Sequence, residues 1–159
     1  AAVGVEDLII VDDDNATLVL QKGQSEKVKD ALEILKSLHV PAANEHTFGF
    51  RPWGMYENLL DSEVCKVKRL TINPGYNLSL QYHLKRSEHW VVVQGHATVQ
   101  LGGEKLYLDS GKSIDIPVGA EHTIGNDTNE DVIVIEVQMG SYLGEDDTVR
   151  LSNPHNRKL

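Results

Sequence analysis

The side chains in this sequence best equipped for chemistry are Gln81, His83, Glu88 and His122, which together offer two imidazoles, a carboxylate and an amide oxygen. Such a mixed nitrogen and oxygen set suits a divalent transition metal, zinc first, with cobalt, manganese, iron or nickel as alternatives. Their spacing is ordered. Gly75 is followed by five residues, Gln81, one residue, His83, four residues, Glu88, six residues and Gly95. A second run reads Gly111, five residues, Pro117, one residue, Gly119, two residues, His122, three residues and Asn126. Gln81 and His83 alternate on one strand and so face the same side, while Glu88 opens the next strand across a short connection. The turn at 117–119 then brings in His122.

The elements around these residues read as strands. Short runs with period-two alternation cover 64–72, 78–82, 89–93, 97–101, 105–108, 113–116 and 131–137, separated by glycine, proline and asparagine turn signals. That rhythm predicts an antiparallel sandwich or small barrel, whose closure also removes exposed sheet edges. Before it, Leu8–Val11 and Ala16–Leu20 flank an acidic turn and predict a hairpin. Asp12, Asp13 and Asp14 are read as that turn rather than as a cation site. Val28, Ala31, Leu32, Leu35 and Leu38 form an apolar stripe that predicts a helix over 25–38, with Ser25 as its N-cap and Pro41 as its stop. Residues 42–46 read as a linker. The expected organisation is therefore a hairpin and amphipathic helix over 1–45, a barrel over 46–150 and a tail over 151–159.

Bulk properties exclude some partners. The chain has 159 residues, of which 40% are hydrophobic and 25% charged, enough for one well-cored domain with an extension. A net charge of −9 argues against a nucleic-acid or anionic-membrane surface, which would select for clustered Lys and Arg. The single cysteine, Cys65, makes no intrachain disulfide, and no apolar run approaches the roughly 20 residues that span a bilayer. A soluble, cytoplasmic protein without a signal peptide is expected. His39, His46, His96 and His155 stand outside the spaced pattern and are read as structural or solvated.

The two spaced runs match the paired motifs of the cupin family at every glycine, proline, glutamate and asparagine position, with Gln81 where many cupins carry a first histidine. Arg51-Pro52-Trp53-Gly54, the run from Ser79 to Trp90 and the run from Gly144 to Arg150 resemble, more narrowly, the type II mannose-6-phosphate isomerase domain, which places glutamine at that ligand position. The resemblance covers about residues 46 to 157. Residues 1 to 40 resemble the last segment of the mannose-1-phosphate guanylyltransferase domain that precedes this isomerase in bifunctional enzymes, without a glycine-rich nucleotide loop. The tail Pro154-His155-Asn156-Arg157 departs from the tyrosine-glycine-arginine run usual in the family.

The resemblance implies an all-β cupin barrel that interconverts mannose 6-phosphate and fructose 6-phosphate with a metal on Gln81, His83, Glu88 and His122. Such a reaction needs a proton carrier, for which Glu88, Lys85 and His89 lie nearest the motif, although alternation puts His89 opposite to Glu88. It also needs a cationic grip on phosphate. Arg86 and Arg150 are the first choices because guanidinium matches phosphate bidentately, with Arg157 and Lys85 in reserve. Arg150 could instead pair with Asp146 and Asp147, and Arg51 could contact substrate while Trp53 packs a barrel end. Two other readings stay open: a sugar or sugar-phosphate binding module without turnover, and another small-molecule cupin enzyme such as an epimerase or dioxygenase. A homodimer is expected, with the helix covering the barrel or a second subunit.

Overall fold

A computed structural model of the chain describes residues 1–13, 16–40, 43 and 47–152. It divides into two compact units, Ala1–Thr47 and Phe48–Leu159. In the first, β1 (Leu8–Asp13) and β2 (Ala16–Gln21) form an antiparallel hairpin, and α1 spans Lys27–Ser37. β1 runs two residues further toward the acidic turn than the apolar pattern indicates, since Asp13 pairs with Ala16, where β2 begins as expected. The helix start also differs from expectation. Its N-cap is Glu26 in helical conformation, with no side-chain capping bond, so the Ser25 hydroxyl does not cap it. The helix ends before the proline is reached: His39 takes φ 56°, and the N–H of Val40 returns to the carbonyl of Leu35. Pro41 itself lies outside the described residues.

Among its described residues the second unit has eleven strands: β3 (Phe48–Arg51), β4 (Gly54–Asp61), β5 (Cys65–Ile72), β6 (Gln81–His83), β7 (Arg86–Gln94), β8 (His96–Leu101), β9 (Glu104–Asp109), β10 (Ser113–Ile116), β11 (His122–Gly125), β12 (Val132–Gly140) and β13 (Thr148–Arg150). A 3-10 turn, Glu145–Asp147, leads into β13. They form two antiparallel sheets, ordered β10-β7-β12-β5-β4-β3 and β13-β6-β11-β8-β9. This is the jelly-roll arrangement of a cupin barrel. Among the described residues no helix is long and apolar enough to cross a membrane.

Side-chain alternation makes the interior a stack of cross-strand layers. On β5, β12 and β7 the inward positions pair in register as Leu70, Val134 and Val92, then Lys68, Glu136 and Trp90, then Lys66, Gln138 and Glu88. All nine are buried. The floor of the barrel is thus aliphatic, each fully buried Val or Ile contributing about 1.5–3 kcal/mol, and the same inward phase turns polar toward the mouth. Strands β3, β4, β11 and β13 escape the sequence pattern because they are short or carry mixed side chains. β7 begins at Arg86 rather than His89, and β12 continues to Gly140.

Motif glycines and the motif asparagine tie these strands together. The N–H of Gly119 donates to the carbonyl of His83, and that of Gly111 to the carbonyl of Val92. Asn126 is buried, donates to the carbonyls of Ile72 and Glu130, and accepts from Thr128. Pro52 and Trp53 form the two-residue turn between β3 and β4, and Trp53 is in the core. After it, Gly54 has φ 144°, and a methyl group there would lie 1.9 Å from the carbonyl oxygen of Thr71. Gly54→Ala is accordingly expected to cost about 3 kcal/mol through backbone strain and displacement of β5. Urea unfolding measures it, and an unchanged midpoint would contradict the register of β4 on β5.

Candidate metal centre and cleft

His83 ends β6, His122 begins β11 beside it in the same sheet, and Glu88 comes from β7 of the facing sheet. All three are at most 2% exposed. One donor atom from each lies within 4.8 Å of the others. His83 Nε2 is 3.0 Å from Glu88 Oε1, and His122 Nε2 is 3.7 Å from Glu88 Oε2. The Nδ1 of His122 sits 2.8 Å from the carbonyl of Ala120, which assigns its proton to Nδ1 and leaves the Nε2 lone pair facing Glu88. The Nδ1 of His83 and the Nε2 of His122 are buried without a hydrogen-bond partner among the described residues, and the Nε2 of His83 faces only the Glu88 carboxylate. Buried polar atoms rarely go unsatisfied. Two orphaned imidazoles around one carboxylate fit a divalent metal. Gln81, on the same face of β6 as His83, lines the adjoining cleft, where its Oε1 accepts from Ser79.

Electrostatics reinforce this. Burial alone would raise the Glu88 carboxyl, but the hydrogen bond and charge of His83, with the charges of His122 and Arg86, hold it down to about 2. Burial pushes His122 below the ordinary histidine range despite the opposing charge of Glu88, which keeps the imidazole neutral and ready to ligate. Three further donors converge on Glu88: Arg86 Nε at 3.3 Å, Trp90 Nε1 at 3.1 Å and Gln138 Nε2 at 3.2 Å.

The cleft beside the cluster has a volume of about 120 Å³ and is lined by Gln81, Arg86, Glu88, Arg51 and Arg150 among others. The structure does not bring every expected residue to it. Lys85 is exposed, its Nζ 5.0 Å above the ring of Tyr142, and it does not line the cleft. His89 points to the opposite side of β7 from Glu88, where Nδ1 meets Asp115 at 2.7 Å. Adjacency in sequence misleads here because neighbours on a strand face opposite ways. Arg86 is buried rather than a free fork: its N–H groups go to Glu88, the carbonyl of Gly144 and the hydroxyl of Thr148. Arg150 is exposed at the rim and makes no ion pair with Asp146 or Asp147. Arg51 lies 4.7 Å above the ring of Tyr56. Arg157 lies outside the described residues.

The cleft also contains residues that motif spacing did not single out: Lys68, Glu136, Gln138 and Glu145. Glu136 accepts from Gln138 Nε2 at 2.7 Å and Trp90 Nε1 at 3.0 Å, so the indole N–H is shared between two carboxylates. Burial first, and then the charge of Glu88, push Glu136 up to about 8, against the pull of Lys68 and Arg86. Lys68 forms an ion pair with Glu145. Its burial acts to lower its pKa, but the charges of Glu136 and Glu145 raise it above the ordinary lysine value. On β5 and β12 these residues lie in the phase that places Leu70 and Val134 inside, a phase that strand pairing rather than local sequence reveals.

Two outcomes follow for purified protein. His122→Ala should weaken metal binding at least about a hundredfold, read as metal content after dialysis, and unchanged stoichiometry would refute a ligand role. In the metal-free protein Glu136 holds its proton more tightly folded than unfolded. Its contribution to stability is therefore full below pH 4.5 and is lost as pH rises through about 8. Glu136→Gln should flatten that decline, which runs from about pH 4.5 to about pH 8, in urea unfolding, and an equal decline in both proteins would refute it.

Comparison with known proteins agrees with this architecture. The family model described as mannose-6-phosphate isomerase C-terminal matches residues 39–153. The xanthan biosynthesis protein XanB of Xanthomonas campestris is 41% identical over 157 residues, covering 99% of this chain and 34% of that protein. A mannose-1-phosphate guanylyltransferase of Klebsiella pneumoniae is 39% identical over 157 residues, covering 99% and 33%. The chain thus spans about a third of the length of these relatives. Among solved structures, a protein with a double-stranded β-helix domain from Klebsiella pneumoniae superposes with a TM-score of 0.54 at 21% identity, over 59% of this chain and 75% of that one. The fold, the spaced site residues and the match across 39–153 together place the chain in the mannose-6-phosphate isomerase C-terminal family, on a cupin barrel.

Proposed function

We propose that this chain is a metal-dependent aldose-ketose isomerase that interconverts mannose 6-phosphate and fructose 6-phosphate, in service of nucleotide-sugar synthesis. The observation that carries the reading is the buried His83, Glu88 and His122 cluster beside a cleft whose rim holds arginines on a chain of net charge −9. A divalent metal held by His83, Glu88 and His122, with Gln81 alongside, would supply Lewis-acid stabilisation of negative charge on the sugar's C1 and C2 oxygens. The rest falls to the protein. Arg150, exposed at the rim and without an ion-pair partner among the described residues, is placed to meet a phosphate. Arg51, stacked on Tyr56, is a second cation on the same cleft. Arg86 holds Glu88 and the 144–148 segment in place, so its contribution is to the shape of the site.

The test is direct. Purified chain loaded with zinc, cobalt or manganese is given mannose 6-phosphate, and fructose 6-phosphate is measured. Turnover that depends on the metal is expected, and sugar-phosphate binding without turnover by fully metallated protein would replace this reading with that of a binding module. Arg150→Ala should raise KM for the phosphorylated sugar roughly tenfold or more while leaving kcat within a few-fold, the pattern of lost uniform binding. An unchanged KM would remove Arg150 from the phosphate site.

A further inference from the structure

Isomerisation of an aldose phosphate through an enediolate requires a group that removes the proton from C2 and returns it at C1, and the geometry narrows the choice. Lys85 stands outside the cleft over Tyr142, and His89 faces Asp115 on the outer side of β7. Glu88 is held by His83, Arg86, Trp90 and Gln138 at the centre of the metal cluster. The two other carboxylates lining the cleft, among the described residues, are Glu136 and Glu145. Glu145 sits at the exposed rim, its side chain 60% exposed and ion-paired with Lys68. Glu136 is 5% exposed and lies next to Glu88 across the shared Trp90 N–H.

We propose that Glu136 is the proton carrier of the isomerisation, an inference that rests on the functional reading above. As carboxylate it takes the proton from C2 of the open-chain aldose. The C–H electron pair becomes the C1–C2 double bond, and the carbonyl pair moves to O1. The hydroxyl proton of O2 passes to O1, the O2 pair forms the C2 carbonyl, and the C1–C2 pair takes the proton back from the Glu136 carboxyl at C1. The ketose results with no net change of protons or electrons. One donor on each carboxyl oxygen, from Gln138 and Trp90, fixes the orientation of Glu136 while leaving each oxygen a second lone pair. Its proton affinity is set by the groups facing it: Lys68 from β5, Glu88 and Arg86 from β7 and Glu145 from the 3-10 turn. Lys68, opposite in register, keeps the carboxylate form accessible.

The experiment uses the full chain loaded with metal. Glu136→Gln preserves size, and its amide oxygen can still accept one of the two hydrogen bonds. It should lower kcat about 10²–10⁴-fold, together with exchange of the C2 proton of mannose 6-phosphate in deuterated water, while metal content and KM stay within a few-fold. Glu136→Asp should recover part of the rate. Lys68→Met, which removes the neighbouring cation, should move the acidic limb of the pH–rate profile to higher pH. A wild-type enzyme that turns over, with Glu136→Gln keeping its rate and its C2 exchange, would overturn the assignment alone. A metal-loaded wild type that neither isomerises nor exchanges the C2 proton would overturn both the assignment and the functional reading.

Discussion

The structure depends on one buried charge. Glu88 lies inside the barrel with 2% of its surface exposed, and an isolated carboxylate in such a place would cost several kcal/mol in lost hydration. The cost is offset because donors arrive from several strands at once: His83 from β6, Arg86 and Trp90 from β7 itself and Gln138 from β12. A slip of one residue in β7 would bring Ser87 or His89 inward instead, stranding every one of these donors. The register of β12 on β7, and through it of β5 on β12, is thus bound to the site as tightly as it is to the aliphatic floor.

The barrel resolves the competing needs of a core and a site by changing chemistry along a constant phase. Inward positions of β5 run from Ile72 and Leu70 to Lys68 and Lys66, and those of β12 from Val132 and Val134 to Glu136 and Gln138. The apolar half secures the sheets, and the polar half is held rigid because the same strands continue into it. A site built this way needs little loop ordering. The 3-10 turn at Glu145–Asp147 is one exception, and it is anchored by Lys68 through Glu145 and by Arg86 through the carbonyl of Gly144.

This division explains what was legible in the sequence. His83, Glu88 and His122 stood out because their spacing to glycine and proline is set by turns, and turns leave local marks: Gly119 sits where its N–H meets the carbonyl of His83. Glu136 and Lys68 left no such mark. In Val132–Gly140 both phases of the alternation are apolar up to Ile135, so a sequence reading cannot say which of Glu136 and Val137 faces inward. The pairing with β7 decides it, and pairing is a long-range fact. Lys85 stands outside the cleft for the converse reason, since proximity along the chain is not proximity in space, whereas the alternation that turns His89 away from Glu88 is legible in the sequence. β13, only three residues long, contributes Arg150 to the rim through pairing with Gln81 that no local pattern announces.

Two carboxylates in adjacent buried layers must differ in protonation, because like charges a few ångström apart in a poorly hydrated interior cannot both ionise cheaply. The surroundings here choose which one yields. Glu88 has two imidazoles and a guanidinium about it and stays ionised, whereas Glu136 has neutral donors on its two oxygens and one lysine at a distance, and retains its proton. The asymmetry matches a division of labour in which one carboxylate holds a cation permanently and the other exchanges a proton. Trp90 is what couples them: its indole N–H lies 3.1 Å from Glu88 and 3.0 Å from Glu136, and its ring packs edge-on against His122 at 5.3 Å. A single fully buried side chain therefore orients His122 and both carboxylates, and the aliphatic layer beneath it fixes its position.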